Sequence, residues 1–234
     1  MIMMKRIDQI SEQAFLLDFG VDINIKLNQT VIAFANQIEK KIKKNNNLGI
    51  KNCVPSFNKI LIQFDPLLNQ KKEIINFLQT INKKKLNNPS INKHIEIPIC
   101  YEDEFALDIK EIVKKTKLSK QKIINIHLKT NFYVYMIGFM PGLPYLGDLD
   151  KKIFLPRKSI PRTNVPAGSI GIVENFCVIY PNESPGGWNI IGRTPKKLFY
   201  KNKKNPTFLK AGNFVKFRSI SKKEFEKTRD FNEI

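Results

Sequence analysis

The residues of this sequence whose types and spacing bear on chemistry are three arginines, two candidate proton-transfer groups and a concentration of glycines. They gather in and beside four loops rich in glycine and proline: GFMPGLPYLGDL (138–149), PRTNVPAGSIGI (161–172), YPNESPGGW (180–188) and IGRTP (191–195). Loop glycines let backbone N–H groups approach a ligand, and a consecutive pair such as Gly186–Gly187 can form an anion-holding nest. Arg157, Arg162 and Arg193 offer planar forks that suit a carboxylate or a phosphate. The plainer alternative is that they tie loops together by donating to main-chain carbonyls. Arg193, between Gly192 and the stiff Thr194–Pro195 pair, is the arginine expected to bind an anion across a barrel mouth. His127 and Glu183 are candidate acid–base groups. Their plainer roles are a helix-end histidine satisfied by a carbonyl and a turn-stabilising acceptor. Ser169 and Ser184 supply loop hydroxyls without Ser-His-Asp spacing, so they read as substrate contacts rather than nucleophiles. Tyr145 and Trp188 read as walls of an apolar pocket. No Gly-Lys-Ser/Thr follows the glycines, which excludes a Walker A loop, and no metal-ligand cluster is evident.

The elements that must position these residues change character along the chain. AFLLDF (14–19) reads as a strand ending at Gly20, and residues 26–44 place Leu27, Val31, Phe34, Ala35, Ile38 and Ile42 at helical spacing. Strands are expected at 50–54 and 57–64, joined by a Pro-Ser turn, then a helix near 70–82 and an alternating strand, HIEIPI, at 94–99. That β-α-β-β-α-β order predicts a ferredoxin-like unit serving as scaffold or docking module. Two short helices follow at 105–116 and 119–129, the second with Ser119 as N-cap. Beyond Phe132 short β-rich runs alternate with turn signals, the pattern of a β-barrel or sandwich. The boundary is expected near residue 90, giving an α+β chain with domains 1–90 and 91–234 and the chemistry in the second.

Composition bounds the function. The 234 residues are 42% hydrophobic, which is ordinary for a globular chain, and no apolar run is long enough for a membrane helix. The N-terminus MIMMKRIDQI has no apolar h-region, so secretion is not indicated. Three scattered cysteines, Cys53, Cys100 and Cys177, argue against a disulfide framework or a cysteine zinc site, and a reduced cytoplasmic compartment is expected. The formal net charge of +19 raises nucleic acid as a partner. The excess is nearly all lysine in Lys/Asn/Ile-rich stretches such as 39–47, 82–89 and 200–206, however. That pattern reads as compositional drift and not as a nucleic-acid footprint.

Three long strings carry a resemblance. His127 with YVYMIGFMPGLPYLG (133–147), PRKSIPRTNVPAGSIGI (156–172) and IYPNESPGGWNIIGRTPKKLF (179–199) resemble the allophanate hydrolase subunit 1 family. That family includes the B component of bacterial ATP-dependent 5-oxoprolinase and the Kip-type histidine-kinase inhibitor. The N-terminal part matches more loosely, through Phe19–Gly20 and PSFNKILIQFDP (55–66). The resemblance implies a cyclophilin-like β-barrel at the C-terminus and two partner proteins, subunits A and C. Together they open 5-oxoproline to glutamate with ATP and magnesium shared among the subunits. The alternative it implies is an inhibitor that grips a sensor histidine kinase. Two departures bear on substrate choice: Leu143 replaces the family's usual Phe, and Phe176-Cys177-Val178 replaces a common Gln-Thr-Gly.

Overall fold

The computed structural model describes residues 3–68, 70–82 and 93–228. The chain divides into two compact units, Met1–Ile91 and Asn92–Ile234. The boundary expected near residue 90 and most of the lysine-rich 82–89 stretch lie outside the described residues.

The first unit runs β1 (Arg6–Ser11), β2 (Ala14–Asp18), α1 (Ile25–Lys44), β3 (Ile50–Ser56), β4 (Lys59–Phe64) and α2 (Lys71–Asn82). The strands form one antiparallel sheet in the order β1-β2-β4-β3. Phe15 and Leu17 of β2, with Ile60, Ile62 and Phe64 of β4, bury one face of it under Val31, Phe34 and Ile38 of α1 and Ile74 and Leu78 of α2. Helix α1 starts where the Asn24 side chain accepts from the Leu27 amide at 2.9 Å, which satisfies one of the four orphan donors of a helix start. The β3–β4 turn falls at Phe57–Asn58, two residues later than the expected Pro-Ser turn, with Phe57 in the left-handed region at φ +49°. Strand β1 was not expected from the sequence, since RIDQIS is polar and sits at an edge, mostly exposed.

One correction follows from the pairing. The strand expected to close a β-α-β-β-α-β unit, 94–99, does not join this sheet. It is β5 (His94–Ile99), and it pairs in parallel with a strand near the C-terminus in the second unit, Phe214 opposite His94 through Ser219 opposite Ile99. The first unit is therefore β-β-α-β-β-α among the described residues.

In the second unit, α3 (Ile109–Thr116) and α4 (Lys120–Lys129) precede β6 (Phe132–Ile137), β7 (Pro144–Gly147), β8 (Arg162–Val165), β9 (Ser169–Val173), β10 (Phe176–Ile179), β11 (Ser184–Gly186), β12 (Asn189–Arg193), β13 (Phe214–Ser219) and α5 (Lys222–Lys227). Seven strands form one sheet, in the order β12-β9-β10-β7-β6-β13-β5. Its two edges meet where Cys100, just past β5, exchanges backbone hydrogen bonds with Arg193 at 2.9 and 3.0 Å. The sheet is thus a nearly closed barrel, which fits the cyclophilin-like expectation, and closing it removes most of the exposed edge. Strands β8 and β11 form a separate two-stranded ribbon. The barrel is filled by Ile97, Ile99, Val134, Leu146, Ile170, Ile172, Ile179, Ile191 and Val215. Helix α4 begins where Ser119 Oγ accepts from the Lys122 amide. Helix α3 begins only at Ile109, because the Asp108 side chain caps nothing locally and is spent on a distant cluster instead.

Candidate functional site

The loop between β6 and β7 is clamped by its own backbone. The Gly138 amide donates to the Leu143 carbonyl at 3.0 Å and the Leu143 amide to the Met140 carbonyl at 3.2 Å. This closure puts Phe139 at φ +71°, a region that residues with a β-carbon seldom adopt. Phe139 is 77% exposed and borders a cleft of about 170 Å³. Leu143 and Tyr145 on the same hairpin, Val178 at the end of β10, Tyr180, and the Pro185–Trp188 segment complete the lining together with Arg157.

Close backbone approach shapes this cleft. A β-carbon on Gly186 would lie 2.4 Å from the Tyr180 hydroxyl, and one on Gly187 would lie 2.7 Å from Arg157 Nε. The two glycines therefore make room for the tyrosine and the guanidinium that line the cleft. Neither has a positive φ, and Gly186 belongs to β11, so they do not form the alternating nest expected of them. The Lys158 amide donates to the Gly187 carbonyl at 2.8 Å and so holds the Arg157 segment beside this strand. The Tyr145 and Trp188 rings meet edge to face at 5.9 Å between centroids, a favourable aromatic pairing. Burial pushes the Tyr145 and Tyr180 hydroxyls up, Tyr180 to about 12, against the pull of the Arg157 charge. Both are neutral hydrogen-bonding groups near neutral pH.

The structure separates the three arginines. Arg157 lines the cleft and has no ion pair or hydrogen bond among the described residues. Arg162 instead forks onto Asp108, with both N–H···O distances at 2.7 Å. Asp108 also accepts from Lys158 Nζ at 2.8 Å and from the Ile190 amide at 2.7 Å, and Lys158 bridges on to Glu111. Arg193 donates from Nε to the Ala167 carbonyl at 2.7 Å and lies over the Phe225 ring. It ties the 167 loop through Nε and does not line this cleft.

His127 is also elsewhere. It is fully buried in the barrel core, stacked on Phe217, with Nδ1 at 2.7 Å from the Tyr101 hydroxyl and Nε2 at 3.6 Å from Cys177 Sγ. Burial lowers its pKa to about 3, so it is a neutral imidazole enclosed by packing, with no access to a ligand in the cleft. Glu183 is exposed and accepts from Asn164 Nδ2 at 2.7 Å. Ser169 is buried on β9, and Ser184 donates to the Pro185 carbonyl next to it. Of the residues singled out from the sequence, Arg157, Tyr145, Trp188, Gly186 and Gly187 converge on the cleft; His127, Glu183, Arg162, Arg193, Ser169 and Ser184 do not. Phe139, Tyr180 and Pro185 were missed, although each lies in a flagged loop. The two departures from the family strings, Leu143 and Val178, both line the cleft and make that part of its surface apolar.

The nearly closed barrel, the preceding sheet unit and this cleft are those of a carboxyltransferase-type module. Residues 5–209 match the model of the carboxyltransferase domain, subdomain C and D, and the chain belongs to that family. Among curated relatives it is 37% identical to the B component of 5-oxoprolinase from Bacillus subtilis, over 94% of this chain and 95% of that protein. It is 36% identical to the corresponding 5-oxoprolinase component of Haemophilus influenzae, over 89% and 94%. Among solved structures, TTHA0988 superposes with a TM-score of 0.78 at 27% identity, covering 89% of this chain but only 40% of that one.

Proposed function

We propose that this chain is the B component of an ATP-dependent 5-oxoprolinase, acting with subunits A and C to hydrolyse the 5-oxoproline lactam to glutamate. The observation that carries this reading is end-to-end similarity to a protein of that name, 37% identity over 94% of the chain. The chemistry of the cleft agrees with a subunit role. Its lining holds one cation, neutral tyrosines and apolar walls, and no group that titrates near neutral pH to serve as a general base. Breaking a lactam takes activation of the amide oxygen and a positioned base, which the described residues of this cleft do not bring together.

Among the described residues no three His, Cys, Asp or Glu side chains are grouped to hold a metal, and Gly186–Gly187 lacks nest geometry. The reading takes ATP and magnesium as shared with the partner subunits and places the assembly in the cytoplasm, where ATP is available. No helix among the described residues is long and apolar enough to cross a membrane.

A stable heteromer is expected, with an interface above about 1,000 Å² per complex. Mixing the chain with its cognate A and C subunits at micromolar concentration and sizing the mixture checks this. Co-elution supports the reading, and separate elution of this chain under all nucleotide conditions contradicts it.

A further inference from the structure

We infer that the cleft between the 138–143 loop and the 184–188 segment binds the carboxylate of a small ring acid, with Arg157 as the anion fork and Phe139 as an aromatic cover. The inference deepens the 5-oxoprolinase reading and takes its preferred ligand from it, since 5-oxoproline is a five-membered ring carrying a carboxylate.

Charge is the first argument. Asp108 and Glu111 are held by Lys158, and Asp108 also by Arg162; Glu183 is turned to Asn164. No carboxylate lines the cleft, and Arg157 is its single charged residue. Arg157 is solvent-exposed at the cleft and has no acidic partner among the described residues, so its planar fork is open to a two-oxygen anion. Shape is the second argument. The cleft volume of about 170 Å³ gives room for a small ring and its carboxylate. Leu143, Val178, Tyr145 and Trp188 provide apolar contact for ring methylenes.

The third argument is strain. The Gly138–Leu143 clamp holds Phe139 in a left-handed backbone conformation that leaves the residue 77% exposed at the cleft, so burial in the fold does not account for an aromatic there. Backbone strain of this kind concentrates at ligand clamps. Its ring, at the cleft edge, covers a bound ring and excludes water from the Arg157–carboxylate pair. With Leu143 and Val178 apolar, the lactam amide gains no polar partner from those two positions.

The test is ligand-observed NMR on the full chain with L-5-oxoproline, cyclopentanecarboxylate and the uncharged lactam 2-pyrrolidinone. The two acids are expected to bind and compete, and the lactam to bind at least tenfold more weakly. Arg157→Gln is expected to weaken acid binding at least tenfold without lowering the melting temperature. Phe139→Gly is expected to weaken it several-fold while the melting temperature holds or rises, because the strain is relieved. A purely structural Phe139 would instead lower it. Unchanged acid affinity in Arg157→Gln, equal binding of 2-pyrrolidinone, or binding of neither acid by the wild-type chain in the millimolar range overturns the inference. The two readings fail separately. Arg157-dependent acid binding with no 5-oxoproline turnover by the full assembly leaves the anion site standing and removes the enzyme assignment. Turnover with an unchanged KM in Arg157→Gln does the reverse.

Discussion

Replacing Asp108 with alanine is expected to lower the unfolding free energy of the second unit by about 3–5 kcal/mol, the range for breaking a buried ion pair by removing one partner. The Asp108 side chain is 2% exposed and receives the Arg162 fork, Lys158 and the Ile190 amide. Its loss leaves the Arg162 guanidinium and the buried Ile190 amide without this partner, in the joint between the start of α3, β8 and β12, while Lys158 keeps only Glu111. Burial pulls the Asp108 pKa up, but the hydrogen bonds from Arg162, Lys158 and the Ile190 amide outweigh it, and the net shift is downward. The sign follows directly. This stabilisation is complete above the unfolded-state carboxylate pKa of about 3.9 and is lost as pH falls through the lower folded value. Urea unfolding followed by the emission of Trp188, the single tryptophan, reports on this unit. A loss below about 1 kcal/mol would mean that the cluster is no more than a surface arrangement of charges.

His127 gives the second large effect, in a different pH window. Burial lowers its folded pKa from 6.5 to about 3. Between those values the unfolded chain takes up a proton that the folded chain refuses. The His127 contribution to stability therefore falls by about 1.4 kcal/mol for each pH unit below 6.5, or roughly 2 kcal/mol by pH 5. His127→Gln is less stable at pH 7, because it disturbs the contacts to Tyr101, Cys177 and Phe217, but its stability should change by less than about 0.5 kcal/mol between pH 7 and 5. Equal pH slopes in the two proteins would show that the imidazole is accessible to protons in the folded state, and would reopen a catalytic role for it.

The parts of the site legible in the sequence were those fixed by local chemistry. Tyr145, Trp188, Gly186 and Gly187 sit in loops whose glycines and prolines announce unusual backbone, and all four reach the cleft. The arginines could not be ranked this way. Arg157 and Arg162 are five residues apart, and what separates their roles is Asp108, more than fifty residues earlier and met only through the fold. His127 read as a candidate acid–base group at a helix end, whereas closure of the barrel seals it beneath Phe217 and Phe132. Phe139 carried a faint signal, an aromatic between Gly138 and Met140 in a turn, but its positive φ comes from the Gly138–Leu143 clamp. In the fold, alternation in HIEIPI identified a strand without saying which sheet takes it. Its partner, β13, lies about 120 residues further on, so proximity in sequence placed it in the wrong unit.

The most direct measurement of the central claim is glutamate release from 5-oxoproline by the three purified subunits with ATP and magnesium, with and without this chain. The account predicts glutamate and ADP formed together only when this chain is present, and at least a tenfold drop in kcat/KM, carried mainly by KM, when it bears Arg157→Gln, the loss of a charge-assisted hydrogen-bonded pair. Glutamate formed at the full rate by subunits A and C alone, or none formed by the complete set, would contradict it.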